Sequence, residues 1–221
     1  TFVGQKDGRQ IFVIGGEVKQ RFKKEISELA QATRKIVKEE SIYKQKAIKV
    51  AFPDISPEDF DPTAHAPKFI DTKNVNEDEL VFSKDVAMLV QDSLFTPIEH
   101  TQKCRELRIP LKRGILLEGP YGTGKTLTAY VSAKKAVSNG WTFIYLETVK
   151  DLQRAIFFAQ QYGPAVIFAE DIDQVLKGGR SDEMNAILNT IDGVDTKSSE
   201  IIVVLTTNHV ELINAAMLRP G

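Results

Sequence analysis

One cysteine, one tryptophan and three methionines are all that the 221 residues hold of those types. Cys104 has no second cysteine to pair with, so an internal disulfide is excluded. Packing must hold the fold, and a reducing, cytoplasmic compartment is expected. Cys104 itself is expected to face the interior from a helix rather than to act as a nucleophile. No run of about 18 apolar residues occurs, so no transmembrane helix is expected and no membrane partner. No signal-peptide pattern opens the chain. Neither charge sign dominates: 29 Lys and Arg face 30 Asp and Glu, a net charge of −1. That balance argues against a generic nucleic-acid binder, although a local basic face is compatible with it. The length suits one domain plus an extension. The first residue is Thr1 and the last, Gly221, falls inside a patterned segment, so a fragment of a longer protein is expected.

What is present begins with Gly114 to Leu127, Gly-Ile-Leu-Leu-Glu-Gly-Pro-Tyr-Gly-Thr-Gly-Lys-Thr-Leu. Ile115 to Leu117 predicts a buried strand, and Leu127 to Val137 a helix. Between them lies G-x-x-x-x-G-K-[ST], the strand–loop–helix context of a phosphate-binding P-loop. Gly119, Gly122 and Gly124 let the backbone turn and approach a ligand closely. With Pro120, Tyr121 and Thr123 they form a loop whose N–H groups, with the helix N-terminus, point at an anion. Lys125 neutralises outer phosphates, and the Thr126 hydroxyl can ligate Mg²⁺. Leu127 closes the nucleotide-binding segment.

The remainder divides into three parts. Residues 1–52 predict a small α+β unit: a strand over 10–14, a long helix from Glu17, and a strand over 47–52. On the helix, Phe22, Ile26, Leu29, Thr33, Ile36 and Tyr43 share a stripe at alternating spacings of four and three, with Glu40 the polar gap. This reads as a solvated helix packed on one face, or as one used for self-association or partner docking. Residues 53–79 carry Pro53, Pro57, Pro62 and Pro67 among many acids and predict an extended linker. His65 lies there and is assigned no role. Residues 80–221 alternate helices with apolar strands. Helices are expected over 83–94 and 98–107, with Pro97 interrupting them. Strands are expected over 141–146, 165–169 and 201–205, and helices over 149–162 and 182–191. Strands apolar throughout argue a parallel sheet covered on both faces, an α/β sandwich of three layers. Ligands then sit at the carboxyl ends of the strands.

Two further motifs fall at such ends. Ala165 to Ala169 runs into Glu170-Asp171-Ile172-Asp173, where one carboxylate near Mg²⁺ suffices and a second can orient or deprotonate water. The strand over 201–205 ends in Thr206-Thr207-Asn208, where an amide can position water near a terminal phosphate.

Taken together, Pro110–Thr126, Pro164–Asp173, Leu205–Asn208 and Ala216–Gly221 resemble the AAA ATPases, from about Glu79 to the end. The resemblance implies a P-loop NTPase fold and an enzyme that binds ATP with Mg²⁺. It also implies a homo-oligomer, usually a hexameric ring, that remodels other macromolecules. It places Lys125 and Thr126 on phosphates and Mg²⁺, and Glu170 and Asp171 in the Walker B pair with Glu170 near the metal. Asn208 falls in the first sensor, and Arg219 at an arginine finger reaching a neighbouring subunit. Glu79 to Phe82 fall where the family touches adenine, without its usual glycines. Three departures accompany it. The Walker B pair is inverted, because the family has Asp before Glu. The aromatic–hydrophobic–glycine pore loop is missing from Glu147 to Leu152, which puts threading of a polypeptide in doubt. The residues given reach Gly221, before the point where the resemblance places a lid domain and its sensor.

The leading reading is an ATP hydrolase that drives remodelling of a protein partner without pore-loop threading. The alternative is an ATP-dependent assembly or binding switch with little hydrolysis, which the inverted acids keep open. A nucleic-acid-handling motor would need a basic inner surface that the sequence does not display. A guanine-specific enzyme would need an N-K-x-D-type segment, which is absent.

Overall fold

In a computed structural model of the chain, residues 2–6, 9–13, 19–52, 66–173 and 200–209 are described. Two strands open it, β1 (Phe2–Lys6) and β2 (Arg9–Val13), paired as an antiparallel hairpin. The sequence reading anticipated only the second of them. A 3₁₀ turn at Gln20–Phe22 leads into α1 (Lys23–Glu40). Phe22, Ile26, Leu29 and Ile36 of its stripe are exposed, whereas Tyr43 beyond the helix packs partly on the core, its ring 5.7 Å from that of Phe69.

The main body is a six-stranded sheet in the order β4-β3-β6-β7-β8-β5. Its strands are β3 (Ala47–Val50), β4 (Lys68–Phe69), β5 (Arg113–Glu118), β6 (Thr142–Leu146), β7 (Ala165–Ala169) and β8 (Ile201–Thr207). All neighbours run parallel except β4, which lies antiparallel on β3. Side chains alternate between the two faces, as a pleated strand requires. On one face Ile144, Leu146, Ile167, Ala169, Val203 and Leu205 meet Leu152, Ala155, Ile156 and Ala159 of α6 (Leu152–Ala159). On the other, Phe143, Val166, Phe168, Ile202 and Val204 meet Ala129, Ala133 and Ala136 of α5 (Lys125–Ser138). Covered on both faces, β7 and β8 are buried along their whole length. That is why they read as unbroken apolar runs. Cys104 is buried in the second of these clusters.

Three expectations change here. The strand expected over 47–52 is not part of a separate N-terminal unit. As β3 it pairs in parallel with β6, with Ile48 opposite Ile144. Ala47 enters one core cluster and Ile48 and Val50 the other, so the strand finds both covers it needs inside the sheet. The stretch expected as an extended linker over 53–79 is docked from Lys68 onward. Lys68 and Phe69 form β4, Glu77–Glu79 make a 3₁₀ turn, and Ile70 donates its N–H to Ala47 O at 2.8 Å. Pro97 does not interrupt the helical path. A π turn at Gln91–Phe95 joins α2 (Lys84–Val90) to α3 (Thr96–Glu99), and Pro97 sits in the first turn of α3. A first-turn proline has no intrahelical N–H bond to lose. α4 (Thr101–Glu106) follows directly.

The strand around Ile115 is half-buried rather than buried. Among the described residues β5 stands at the sheet edge, paired only with β8. The helix expected over 182–191 and residue His65 lie outside the described residues.

Candidate functional site

Strands β5, β8 and β7 lie side by side and finish together. Glu118 is opposite Thr207, and Leu205 is opposite both Leu116 and Ala169. The loops leaving them therefore meet at one edge, where open α/β sheets bind ligands. Backbone bonds fasten that meeting. Gly119 donates its N–H to Thr207 O at 3.2 Å, and Ile172 donates to Thr206 O at 3.0 Å. Asp171 N donates to Thr206 Oγ1, also at 3.0 Å.

The glycine loop after β5 has the conformation its residues suggest. Gly122 and Gly124 have φ of +80° and +93°, the left-handed region that glycine enters without penalty. A Cβ on Gly119 would lie 2.8 Å from Thr123 Oγ1. That hydroxyl donates to Pro120 O at 2.8 Å and closes the loop. α5 starts at Lys125, so its first-turn N–H groups have no carbonyl partners within the helix and face the loop. The Lys125 ammonium lies across the loop, donating to the carbonyls of Gly119 and Pro120. It is also 6.0 Å from the ring centre of the exposed Tyr121. Thr126 is exposed in the first turn, and Leu127 packs partly into the core.

Beyond β7 the acids are held individually. Tyr145, at the end of β6, donates its hydroxyl to Glu170 Oε2 at 2.7 Å. Burial raises the Tyr145 pKa and the Glu170 carboxylate raises it further, so the phenol stays a donor at neutral pH. The other oxygen, Glu170 Oε1, is buried and has no hydrogen-bond partner among the described residues. Asp171 has φ of +54°, a sparsely populated backbone for a non-glycine residue. Its Oδ1 accepts from Asn208 Nδ2 at 3.0 Å. Asn208 Oδ1 is likewise buried without a partner among the described residues.

Asp173 organises what lies beneath them. Buried, it accepts from the Thr207 hydroxyl, from Asn208 N at 3.0 Å and from Asn208 Nδ2 at 3.4 Å. Burial pushes its pKa up, but the Thr207 and Asn208 donors outweigh that and hold it below the ordinary aspartate range. Asp173, Thr206, Thr207 and Tyr145 were not among the sequence candidates. Their only signal is position: two hydroxyls at the end of an apolar strand, and an acid two residues after another.

The site has one more wall. Leu80 Cδ1 and Phe82 Cε1 lie 3.6 and 3.7 Å from where a Cβ on Gly124 would sit. A clamp on α5 puts them there. Lys134 Nζ donates to Val75 O at 2.9 Å, and Lys135 Nζ pairs with Glu77 at 2.9 Å and with Glu99. The Lys135 hydrogen bond outweighs burial and, with both lysine charges, holds Glu77 below its usual pKa. Glu79–Phe82, expected at the adenine, is thus brought beside the P-loop.

The residues present suit a nucleotide with Mg²⁺. A glycine cradle opens onto a helix N-terminus, and the unpartnered Glu170 Oε1 is a carboxylate oxygen free to ligate. Among the described residues no group of three or more His, Cys, Asp or Glu is placed to hold a metal. Mg²⁺ asks for less, because it keeps waters and takes phosphate oxygens. Arg219 and the loop 176–181 lie outside the described residues.

Residues 115–221 match the model of the ATPase family associated with various cellular activities (AAA). Among curated proteins, an ATP-dependent zinc metalloprotease FtsH 1 from Petrotoga mobilis is 34% identical over 169 residues. That match covers 65% of this chain and 25% of the relative, so the chain spans about a quarter of that protein. Among solved structures, the AAA domain of FIGL-1 in complex with ADP aligns with a TM-score of 0.49 at 24% identity, covering 63% of this chain and 50% of that one. A katanin structure, described as the structural basis for katanin self-assembly, aligns with a TM-score of 0.47 at 25% identity, covering 66% and 50%.

Proposed function

The chain belongs to the AAA ATPase family through residues 115–221, and from that premise we propose that it binds ATP with Mg²⁺ and hydrolyses the β–γ phosphoanhydride. One observation carries the proposal. Three adjacent strand ends gather the P-loop, the two acids and Asn208, and the two buried unpartnered oxygens, Glu170 Oε1 and Asn208 Oδ1, belong to that cluster.

The roles follow from the surroundings. The backbone N–H groups of Gly119 to Gly124 and the α5 N-terminus cradle phosphates, with Pro120, Tyr121 and Thr123 shaping the loop. Lys125 transfers its ammonium from loop carbonyls to phosphate oxygens. Thr126 and Glu170 would hold Mg²⁺, which when bound neutralises phosphate charge. Tyr145 fixes one Glu170 oxygen and leaves the other to ligate. Asp171 accepts a proton from, or orients, the attacking water. Asn208 holds Asp171 through its amide nitrogen and offers its carbonyl oxygen to the same water. On this reading the inversion of the acids leaves both carboxylates employed, with the base one methylene shorter than in the family's usual order.

The use of the energy belongs to the same proposal. Assembly as a hexameric ring would bring Arg219 to a neighbour's phosphates. The work is remodelling of a protein partner without threading. Val149 and Leu152 support that, because the apolar residues of Glu147–Leu152 are buried and leave no exposed aromatic grip there. The six-stranded sheet, with β3 and β4 included, acts as the ATPase core in this scheme, and the elements before β3 as the partner-facing part.

Turnover of the purified chain with ATP and Mg²⁺ tests the reading. Lys125→Ala should lose nucleotide binding. Asp171→Asn should retain it and lose roughly 10²–10⁴-fold in turnover, the range for a removed general base. Undiminished hydrolysis by Asp171→Asn would sink the assignment. Tight binding with no turnover in the unaltered chain would favour the switch reading, which the inverted acids support.

A further inference from the structure

Asn208 sits between two carboxylates, and its amide nitrogen is committed to both. Nδ2 donates to Asp171 Oδ1 at 3.0 Å and to Asp173 Oδ2 at 3.4 Å. An amide nitrogen carries two hydrogens, so neither is left for a third acceptor. The oxygen of the same amide, Oδ1, is buried without a partner among the described residues. The two ends of an amide are close in size, so packing does not choose between its two orientations. Charge does, because an ionised carboxylate only accepts hydrogen bonds. Turned over, the amide would set its oxygen against two carboxylates.

Of the two acids, Asp173 is the one that grips. It is only 3% exposed, and both of its oxygens are occupied. Oδ1 accepts from the Thr207 hydroxyl. Oδ2 accepts from Asn208 N at 3.0 Å as well as from Asn208 Nδ2. The Thr207 hydroxyl in turn accepts from His209 N at 3.0 Å, and its single proton goes to Asp173. One carboxylate thus ties down three consecutive residues at the end of β8. A single oxygen of it holds both the backbone and the side chain of Asn208. Burial pushes the Asp173 pKa up, yet these donors hold it below the ordinary range, so it stays an acceptor.

We propose that Asp173 is a positioning residue that fixes the Asn208 amide with its nitrogen toward the acids and its oxygen toward the attacking water. What the amide does there rests on the hydrolysis reading above; how it is held rests on the hydrogen bonds alone. With its nitrogen committed, Asn208 offers the site an acceptor. Phosphate oxygens, which also accept, are poor partners for it, and a water, which donates, is a good one. Asn208 therefore serves the chemical step rather than ATP affinity, and Asp173 serves it through Asn208.

A double-substitution cycle on turnover tests the role. Asp173→Asn keeps the size and removes the charge that sets the direction of the amide. It should lower kcat about tenfold or more and leave KM for ATP within about twofold, as for an interaction made in the transition state. In an Asn208→Ala background the same change should cost less than about twofold, because a residue acting through another is not additive with it. Equal losses in both backgrounds would overturn the proposal, since a residue that only steadies the strand end contributes independently. A raised KM with unchanged kcat would overturn it as well. Where Asp173→Asn does not fold, Thr207→Val takes its place with the same outcomes, because it keeps the carboxylate and removes the donor to its other oxygen. A measurement that needs no turnover separates this inference from the hydrolysis reading. In proton–nitrogen correlation NMR of the chain, the Asn208 side-chain pair is the one missing from Asn208→Ala. Asp173→Asn should shift that pair and speed its exchange with water. A pair left unmoved would overturn the positioning role even in a chain that hydrolyses ATP. A chain without turnover whose pair does respond would sink the hydrolysis reading and leave the hold of Asp173 on the amide standing.

Discussion

Glu170 is held by one phenol. Tyr145 satisfies Oε2, and Oε1 is left buried without a hydrogen-bond partner among the described residues. Removing the hydroxyl leaves a second carboxylate oxygen without its donor, so the cost falls on the acid rather than on the ring. Tyr145→Phe should lower turnover and weaken the Mg²⁺ requirement's half-saturation, while affinity for metal-free nucleotide holds. It should also destabilise the chain by about 1–3 kcal/mol, the range for a buried partner of a charged group left unmet. Titrating Mg²⁺ at fixed ATP, alongside thermal unfolding, separates the two effects. Unchanged Mg²⁺ dependence would mean that Tyr145 only packs. The position of the two acids was legible from the sequence, because they directly follow the apolar run that forms β7. Tyr145 was not: it lies 25 residues earlier on β6, and only strand pairing brings it across.

At the scale of elements, the segment before α2 is positioned by α5. Lys135 bridges Glu77 and Glu99, while Lys134 reaches Val75 O and Glu77. The clamp delivers Leu80 and Phe82 to the P-loop side of Gly124. Lys135→Met keeps the apolar stem and removes the charge. It should weaken ATP affinity several-fold and cost about 1–3 kcal/mol of stability. Isothermal titration with ATP and with a base-free triphosphate checks this. The loss should appear with ATP only if, as the proposed reading has it, the segment faces the base end. Equal losses would mean that the clamp serves the phosphate loop instead. The sequence alone presented this stretch as a proline-rich acidic linker. One of its acids, Glu77, proved to be the ion-pair partner of Lys134 and Lys135 on α5, a pairing that no local pattern encodes. The strand at Ala47–Val50 was misplaced for the same reason: its apolar character was readable, its partner β6 was not.

At the scale of the whole molecule, acid stability should report the site's own carboxylates. Asp173 and Glu77 both have folded-state pKa values below their ordinary ones. For a carboxylate depressed on folding, the stabilisation is complete above the unfolded pKa and is lost as pH falls through the folded one. Denaturant midpoints should therefore be flat from neutral pH down to the ordinary carboxylate range near 4 and fall below it. Asp173→Ala should lower the whole curve by about 1–3 kcal/mol and make that acid fall shallower, because the Thr207 hydroxyl and the Asn208 N–H lose their acceptor. An unchanged acid limb in that variant would show that the titration arises elsewhere.

The sequence by itself determined the P-loop, the apolar parallel strands and the acids and amide at their ends. Each of these is a local statement. Glycine at positive φ, β-branched runs and carboxylates after a strand are set by steric and chemical needs within a few residues. The tertiary structure decided which of them touch. It put Asp173 under Asn208, Tyr145 beside Glu170 and Leu80 against Gly124, and it left Phe22, Ile26, Leu29 and Ile36 exposed. Those contacts come from sheet order and from ion pairs between distant segments. They depend on how whole elements pack, and no window along the chain contains both partners.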